Sequence, residues 1–184
     1  LRYSGADDSD AWNHALAVGA SEVFMVGPRS RRFKTEARLK DLERLLSSAE
    51  CAKVRILVTD PDLFGLVDGL ASDDVERLSR MWGADKKGWR DQERTARDVL
   101  EALRGFREGL APTVRPKLQV RRAHTLMPVG AAVRYLRGMP EYMLIRLLPV
   151  GLMGKLERPL LRLEQRSEDA TFKFYLEYLQ GLWE

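Results

Sequence analysis

The sequence offers little material for covalent or metal chemistry. Among its 184 residues there is a single cysteine, Cys51, so no disulfide can form within the chain. That thiol and the two histidines, His14 and His124, are too few for the four cysteine or histidine ligands of a structural zinc site. The lone thiol favours a reducing compartment, so we expect a cytoplasmic protein, and we expect no cofactor.

Long apolar runs are also absent. The longest covers residues 142–154, contains Arg146, and falls short of the roughly 20 residues that a membrane-spanning helix requires. We therefore expect no membrane insertion. The chain is 45% hydrophobic and 32% charged, which is typical of a single globular domain over residues 1–184. Because it starts with Leu1, we expect this domain to have been excised from a longer chain.

Charge is present in quantity and is unevenly spread. The net charge is only +4, but residues 115–166 contain eleven lysines and arginines against three acidic residues. The first ten and the last eighteen residues are acidic. This asymmetry would attract an anionic small molecule, a nucleotide, nucleic acid or an acidic partner surface. The alternative is that the arginines only protect sheet edges from aggregation.

Hydrophobic periodicity predicts a βαβ unit in the first third of the chain. A short helix over residues 10–17 precedes an apolar strand over 21–26, which is followed by Gly27 and Pro28. Leucines spaced three and four apart predict a helix from residue 35. The β-branched run at 53–59 then predicts a second strand. Two strands joined by a helix in this way are expected to be parallel.

The remaining elements complete a mixed α/β pattern. Residues 60–62 read as a turn, 73–83 as a helix, 86–88 as a loop, and a long helix runs to Gly109. Strands are predicted at 117–123, 131–136, 142–148 and 160–164, with a hairpin turn at 138–140. A final helix, capped by Ser167 or Asp169, ends the chain. The predicted fold class is α/β, with a mixed sheet flanked by helices.

Two groups of residues are candidates for ligand binding, and the first follows the parallel strands. Arg29, Arg31 and Arg32 come after the first strand, and Asp60 comes after the second. Ligands of open α/β sheets bind beyond the carboxyl ends of strands, and a helix N-terminus there favours anions. No G-x-x-x-x-G-K-[ST] loop supports a nucleotide site. A solvated basic loop and an ordinary Asp-Pro turn remain the alternatives.

The second group lies on the later strands and comprises Arg121, His124, Arg134 and Arg137. Arginine binds phosphate through two parallel hydrogen bonds, so these residues suit recognition of an anion. His124 has no acidic residue at helical or strand spacing. We therefore expect its imidazole to act as a neutral hydrogen-bonding group rather than as a catalytic base.

The element order and three segments resemble a single phospholipase D-type unit. The segments are the strand ending Val26-Gly27, the strand entering Asp60-Pro61-Asp62, and the closing run Phe172-x-x-Tyr175-Leu176-x-x-Leu179-x-x-x-Trp183. The resemblance covers roughly residues 10–184. It is nearest to the phospholipase D-like domains of bacterial regulators, which often follow a DNA-binding domain. Since two units normally meet at the active site of this family, the resemblance implies a homodimer.

The active motif of that family, H-x-K-x-x-x-x-D, does not occur in the chain. The best ungapped placement aligns it with residues 130–137. Gly130 then replaces the nucleophilic histidine, Ala132 the lysine, and Arg137 the aspartate. Glycine cannot attack phosphorus and alanine cannot neutralise its charge. The resemblance therefore implies a catalytically inactive domain.

Three hypotheses follow, in order of preference. The first is an inactive phospholipase D-like sensor that binds a phosphate- or nucleotide-type ligand and signals to an effector or DNA-binding domain, as in transcription regulation. The second is a dimerisation or nucleic-acid-contacting module without a small ligand. The third is a divergent phosphodiesterase or nuclease, which turnover abolished by His124→Ala would support.

Overall fold

The computed structural model describes residues 2–3, 8–27, 31–82, 86–125, 127, 129–147, 160–165 and 170–184. Its helices are α1 (Asp8–Ala15), α2 (Glu36–Ser47), α3 (Pro61–Gly65), α4 (Ser72–Trp82), α5 (Lys86–Gly109) and α6 (Ala170–Gly181). Its strands are β1 (Arg2–Tyr3), β2 (Glu22–Gly27), β3 (Lys53–Thr59), β4 (Leu118–Ala123), β5 (Val129–Leu136), β6 (Met139–Leu147) and β7 (Leu160–Glu164). Short 3-10 helices lie at Arg31–Lys34, Leu66–Gly69 and Arg115–Lys117.

All seven strands form one mixed sheet in the order β1-β7-β6-β5-β2-β3-β4, which confirms the predicted fold class. The strands β2, β3 and β4 are parallel, whereas β5 is antiparallel to β2. The register pairs Gly27 with Val58 and Thr59 with Ala123. The carboxyl ends of the three parallel strands therefore lie together, and β4 is an edge strand.

Helices cover both faces of the sheet. On one face, residues from α1 to α5 share a core with the sheet, including Leu46 of α2 and Leu103 of α5. On the other face, α6 contributes the buried Phe172 and Leu179. Successive side chains of a strand point to opposite faces, so Ala132 and Val133 of β5 belong to different cores.

The long helix α5 begins at Lys86, so the loop predicted at residues 86–88 is wrong. The Lys-Lys-Gly sequence has weak helical character of its own, but Trp89 in the next position is only 1% exposed. Its ring lies 5.8 Å from that of Phe64, centroid to centroid. Tertiary packing of this anchor holds the first turn in the helix despite its local sequence.

The β5–β6 hairpin turns at Arg137 and Gly138, one residue earlier than the turn predicted at 138–140. Both residues have positive φ, 52° and 80°, as a two-residue hairpin turn of the I′ type requires. Met139 and Pro140 already belong to β6. The backbone N–H of Gly138 donates a 2.9 Å hydrogen bond to Ser21 Oγ, which ties the turn to the start of β2.

Tyr142 of β6 is buried between the sheet and α1. Its hydroxyl lies 2.8 Å from His14 Nδ1, and the Arg162 guanidinium lies 4.3 Å from the centre of its ring. Burial raises the pKa of Tyr142 to about 12, although nearby Arg134 and Arg162 lower it in part. The folded chain thus holds the phenol proton more tightly than the unfolded chain, whose tyrosines titrate near 10.

This shift predicts alkaline destabilisation that depends on Tyr142. The raised pKa of Tyr142 stabilises the folded state fully below about pH 10. This stabilisation is lost as the pH rises toward 12, because a raised pKa favours folding only while the group is protonated. The free energy of unfolding, measured in urea, should therefore fall by about 1 kcal/mol more in the wild type than in Tyr142→Phe between roughly pH 9 and 11. Equal losses in the two proteins would contradict the assignment.

Candidate anion-binding site

Asp60 stands at the carboxyl end of β3 and begins α3. Its side chain accepts a 3.2 Å hydrogen bond from the backbone N–H of Asp62, and Pro61 occupies the first turn of the helix. This is a helix N-cap with proline in the position it prefers. The Asp-Pro-Asp segment, predicted as an ordinary turn, is thus a helix start. The N–H of Asp60 also donates to the carbonyl of Ala123, 2.9 Å away, which fixes it beside β4.

The Asp60 carboxylate faces two basic side chains, that of Arg122 in β4 and that of His124 directly after the strand. Asp60 Oδ2 lies 3.4 Å from His124 Nδ1, and Oδ1 lies 3.8 Å from the Arg122 guanidinium. The Asp60 side chain is 13% exposed, whereas that of His124 is 85% exposed. Local spacing gives His124 no acidic neighbour, but the parallel pairing of β3 and β4 supplies one. A carboxylate at Nδ1 favours the tautomer that leaves Nε2 as the acceptor toward solvent.

Next to this cluster, α5 and the edge strand β4 border a cleft of about 590 Å³. We call it the arginine cleft, because six arginines and two glutamates line it together with four apolar residues. The lining residues are Pro61, Arg97, Leu100, Glu101, Leu103, Arg104, Arg107, Glu108, Arg115, Val120, Arg121 and Arg122. Along α5 the lining extends from Arg97 to Glu108, which corresponds to about 16 Å of helix.

Arginines at the two ends of the cleft have partners within the protein. Arg97 contacts Asp62 at 2.6 Å and Glu93 at 2.9 Å, and these carboxylates raise its pKa further. At the other end, Arg115 donates to the carbonyls of Glu108 and Leu110, at 2.9 and 3.2 Å. These contacts satisfy carbonyl groups at the C-terminal end of α5, which have no partner within the helix.

Arg121 is held at the C-terminal end of the chain. Its guanidinium donates a 2.7 Å hydrogen bond to the Trp183 carbonyl and lies 4.5 Å from the centre of the Trp183 ring. The aromatic residue of the closing helix that supports the family resemblance therefore contacts one of the predicted ligand-binding arginines. Because Trp183 packs on the α6 face of the sheet, this contact places the Arg121 side chain on the face opposite to α5. Arg122, the next residue of β4, points toward α5.

The arginines in the middle of the cleft differ in their contacts from those at its two ends. Arg104 and Arg107 are exposed, and neither side chain has a hydrogen-bond or ion-pair partner among the residues that the structure describes. They are three positions apart on α5, so they lie on the same side of the helix. With six arginines against two glutamates in the lining, the two guanidinium groups without ion-pair partners among the described residues contribute to a positive potential at this point.

Arg134 is far from the cleft, because β5 is antiparallel to β2 and Arg134 pairs with Val23 near the start of that strand. Its side chain is only 8% exposed. Nε donates to Glu141 at 2.9 Å, and Nη1 contacts the carbonyls of three residues at the C-terminal end of α1, namely His14 (3.2 Å), Ala15 (3.5 Å) and Ala17 (2.7 Å). The guanidinium thus serves as a C-terminal cap for α1.

The other predicted residues are distributed between the two ends of the sheet. Arg137 is exposed in the β5–β6 turn, at the end opposite to Asp60. The backbone of Arg31 and Arg32 forms the 3-10 turn that follows β2, at the same end as Asp60. Arg29 lies outside the described residues. The structure therefore brings Asp60 and His124 together, places the Arg121 side chain on the α6 face of the sheet, and separates all three from Arg134 and Arg137.

Sequence reasoning missed the contribution of α5 to the cleft. Its apolar stripe was recognised, but the opposite charged side, with Arg97, Arg104 and Arg107, was not considered as a site. The spacing of these arginines places them on neighbouring turns of one helix side. Such a pattern is typical of any solvated helix. Only the position of α5 over β4 distinguishes it from an ordinary charged surface.

Comparisons with known proteins found no match: no family model, no curated protein and no solved structure is similar to this chain. The resemblance to phospholipase D-type units therefore rests on the order of the elements and the three sequence segments. Within the described part of the chain, no three histidine, cysteine or acidic side chains are grouped so that they could hold a metal ion. None of the helices in that part is long and apolar enough to cross a bilayer.

Proposed function

We propose that this chain is a binding domain for an anionic ligand of the phosphate type, and that the ligand binds in the arginine cleft. The observation that carries this proposal is the pair Arg104 and Arg107, which lie in the cleft without partners among the described residues. A guanidinium presents its donors in a planar fork that matches phosphate oxygens. Arginines without ion-pair partners need not break a contact in order to bind.

Neighbouring groups support the same proposal. Arg122 approaches the cleft from β4, and Pro61 extends its lining to the carboxyl end of β3. Ligands of α/β folds commonly bind at this end of the sheet. His124, which contacts Asp60 and is close in sequence to Arg122, offers an additional hydrogen-bonding group near the carboxyl end of β4.

We further propose that the domain is catalytically inactive and regulatory, as an altered phospholipase D-like unit would be. In support, the positions that align with the family motif lie in β5 as Gly130 and Ala132, and Ala132 is fully buried. In this proposal the domain acts as a cytoplasmic homodimer and passes the binding signal to an effector or DNA-binding domain. A nucleic-acid-contacting module is the second candidate, since Arg121 and Arg122 are exposed on an edge strand.

Thermal unfolding of the chain in phosphate tests the ligand class. At constant ionic strength, phosphate at about ten times its dissociation constant should stabilise the folded state by about 1.4 kcal/mol, which raises Tm by roughly 3–5 °C. Sodium chloride at the same ionic strength is the control. If phosphate and pyrophosphate raise Tm no more than chloride does, the proposal is wrong. Steeply salt-dependent, sequence-independent DNA binding without any phosphate effect would favour the nucleic-acid candidate.

A further inference from the structure

The side chains that line the arginine cleft favour one class among the phosphate-type ligands. We propose that the arginine cleft is specific for a base-free polyphosphate group, meaning two or more phosphates carried close together without an attached nucleobase that the protein recognises. This inference rests on the proposed function and goes beyond it, since it selects among phosphate-type ligands. Two properties of the lining carry it: how the arginines are distributed along the cleft, and which side chains the lining does not contain.

The arginines are distributed along the whole cleft. Arg104 and Arg107 occupy the middle, about 5–6 Å apart at their Cβ atoms as neighbours on a helix are. Arg97 and Arg115 mark the two ends of the lining, and Arg122 faces α5 from the strand. A single orthophosphate can contact only part of this row. A ligand with several phosphates can contact the central pair and an end group at the same time.

The described lining contains none of the aromatic, amide or hydroxyl side chains that commonly bind a nucleobase. Bases are recognised by stacking on aromatic rings or guanidinium groups and by hydrogen bonds at their edges. Arginines that bind phosphate oxygens are not free to stack on a base or to bind its edge. Apart from the arginines and the two glutamates, the described lining residues are the apolar Pro61, Leu100, Leu103 and Val120. No aromatic, amide or hydroxyl side chain is among them. A nucleotide would therefore gain its affinity from its phosphates and little from its base.

Two glutamates reduce the positive charge of the cleft. Glu101 and Glu108 line it, each three or four positions from an arginine that also lines it. A carboxylate repels every phosphate ligand, but the six arginines outnumber the two glutamates. A ligand with several linked phosphates can contact more of these arginines than a single phosphate can. Affinity should therefore rise with the number of linked phosphates rather than with the size of an attached organic group.

Calorimetric titration of the intact chain, without divalent cations and at constant ionic strength, tests this inference. The probes are orthophosphate, pyrophosphate, tripolyphosphate, ATP, inositol hexakisphosphate and a short single-stranded oligonucleotide. We expect tripolyphosphate to bind at least 10-fold more tightly than orthophosphate. We expect ATP to bind no more tightly than tripolyphosphate. The ratio of tripolyphosphate to inositol hexakisphosphate affinity then distinguishes a linear chain from a ring of phosphates, either of which satisfies the proposal.

Two results would overturn the inference and leave the proposed function intact. One is ATP or the oligonucleotide binding 10-fold or more tightly than tripolyphosphate, which would show recognition of bases. The other is equal affinity for orthophosphate and tripolyphosphate. If none of the anions binds, the proposed function itself fails. As a matched control, Arg104→Gln/Arg107→Gln should abolish the preference for tripolyphosphate, whereas Arg94→Gln, on the same helix and paired with Asp91, should retain it.

Discussion

Replacing Arg104 and Arg107 together by alanine should weaken phosphate and polyphosphate binding by about 100-fold or more. Each guanidinium is expected to supply charge-assisted hydrogen bonds to the ligand, and such bonds contribute about 1.5–3 kcal/mol each. Both side chains are exposed and have no partner among the described residues, so the fold should be unaffected. Calorimetric titration measures the affinity, and urea unfolding verifies that stability is unchanged.

The matched control for this experiment is Arg94→Ala. Arg94 lies on the same helix, is exposed, and is not part of the cleft lining. Its guanidinium lies 2.8 Å from the Asp91 carboxylate. The Arg94→Ala change removes one positive charge from the same helix, whereas the double variant removes two. A loss due only to net charge should therefore appear in Arg94→Ala as about half of the change in binding free energy that the double variant shows. If Arg94→Ala shows about half of that change or more, binding reflects the overall positive charge and not the arginine cleft.

Replacing Arg134 by methionine should lower the free energy of unfolding by about 3 kcal/mol, because it leaves buried and partly buried carbonyl groups at the end of α1 without their donor. The variant removes the ion pair with Glu141 and the donor shared by three carbonyls at the end of α1. For a chain of this length, the corresponding fall in Tm is roughly 6–12 °C. Urea and thermal unfolding measure the change directly.

Arg137→Gln is the control for that variant. Arg137 is an exposed arginine in the turn of the same hairpin, and its replacement should change stability by less than about 0.5 kcal/mol. Below its lowered Tm, Arg134→Met should still bind phosphate with wild-type affinity. Loss of affinity without loss of stability would contradict the capping role and support Arg134 as the ligand-binding residue that the sequence analysis predicts.

The fold was largely predictable from sequence because its strong local signals agree with the tertiary structure. Strands β3 and β7 begin and end at the predicted residues, since apolar runs bounded by polar and turn residues define them. The two-residue β1 was not predicted, because it exists only through its pairing with β7. The start of α5 was also missed. There, the burial of Trp89 outweighs an unfavourable local sequence.

The site was less predictable, because it depends on contacts between distant parts of the chain. Asp60 was identified from its position after a parallel strand, but its contacts with Arg122 and His124 follow from the β3–β4 pairing. Arg134 was grouped with Arg121 since both are arginines on adjacent predicted strands. The reversal of direction at β5 places the two at opposite ends of the sheet. Residue type and order along the chain contain no such information.

The most direct test of the central claim is NMR observation of the arginine side-chain Nε–Hε signals during titration with tripolyphosphate at constant ionic strength. If the arginine cleft is the binding site, the signals of Arg104 and Arg107 should shift together and saturate at one equivalent. Those of Arg94, outside the cleft, and Arg134, which caps α1, should remain in place. Saturable shifts confined to Arg134 or Arg137, or small uniform shifts of all arginines without saturation, would contradict the account.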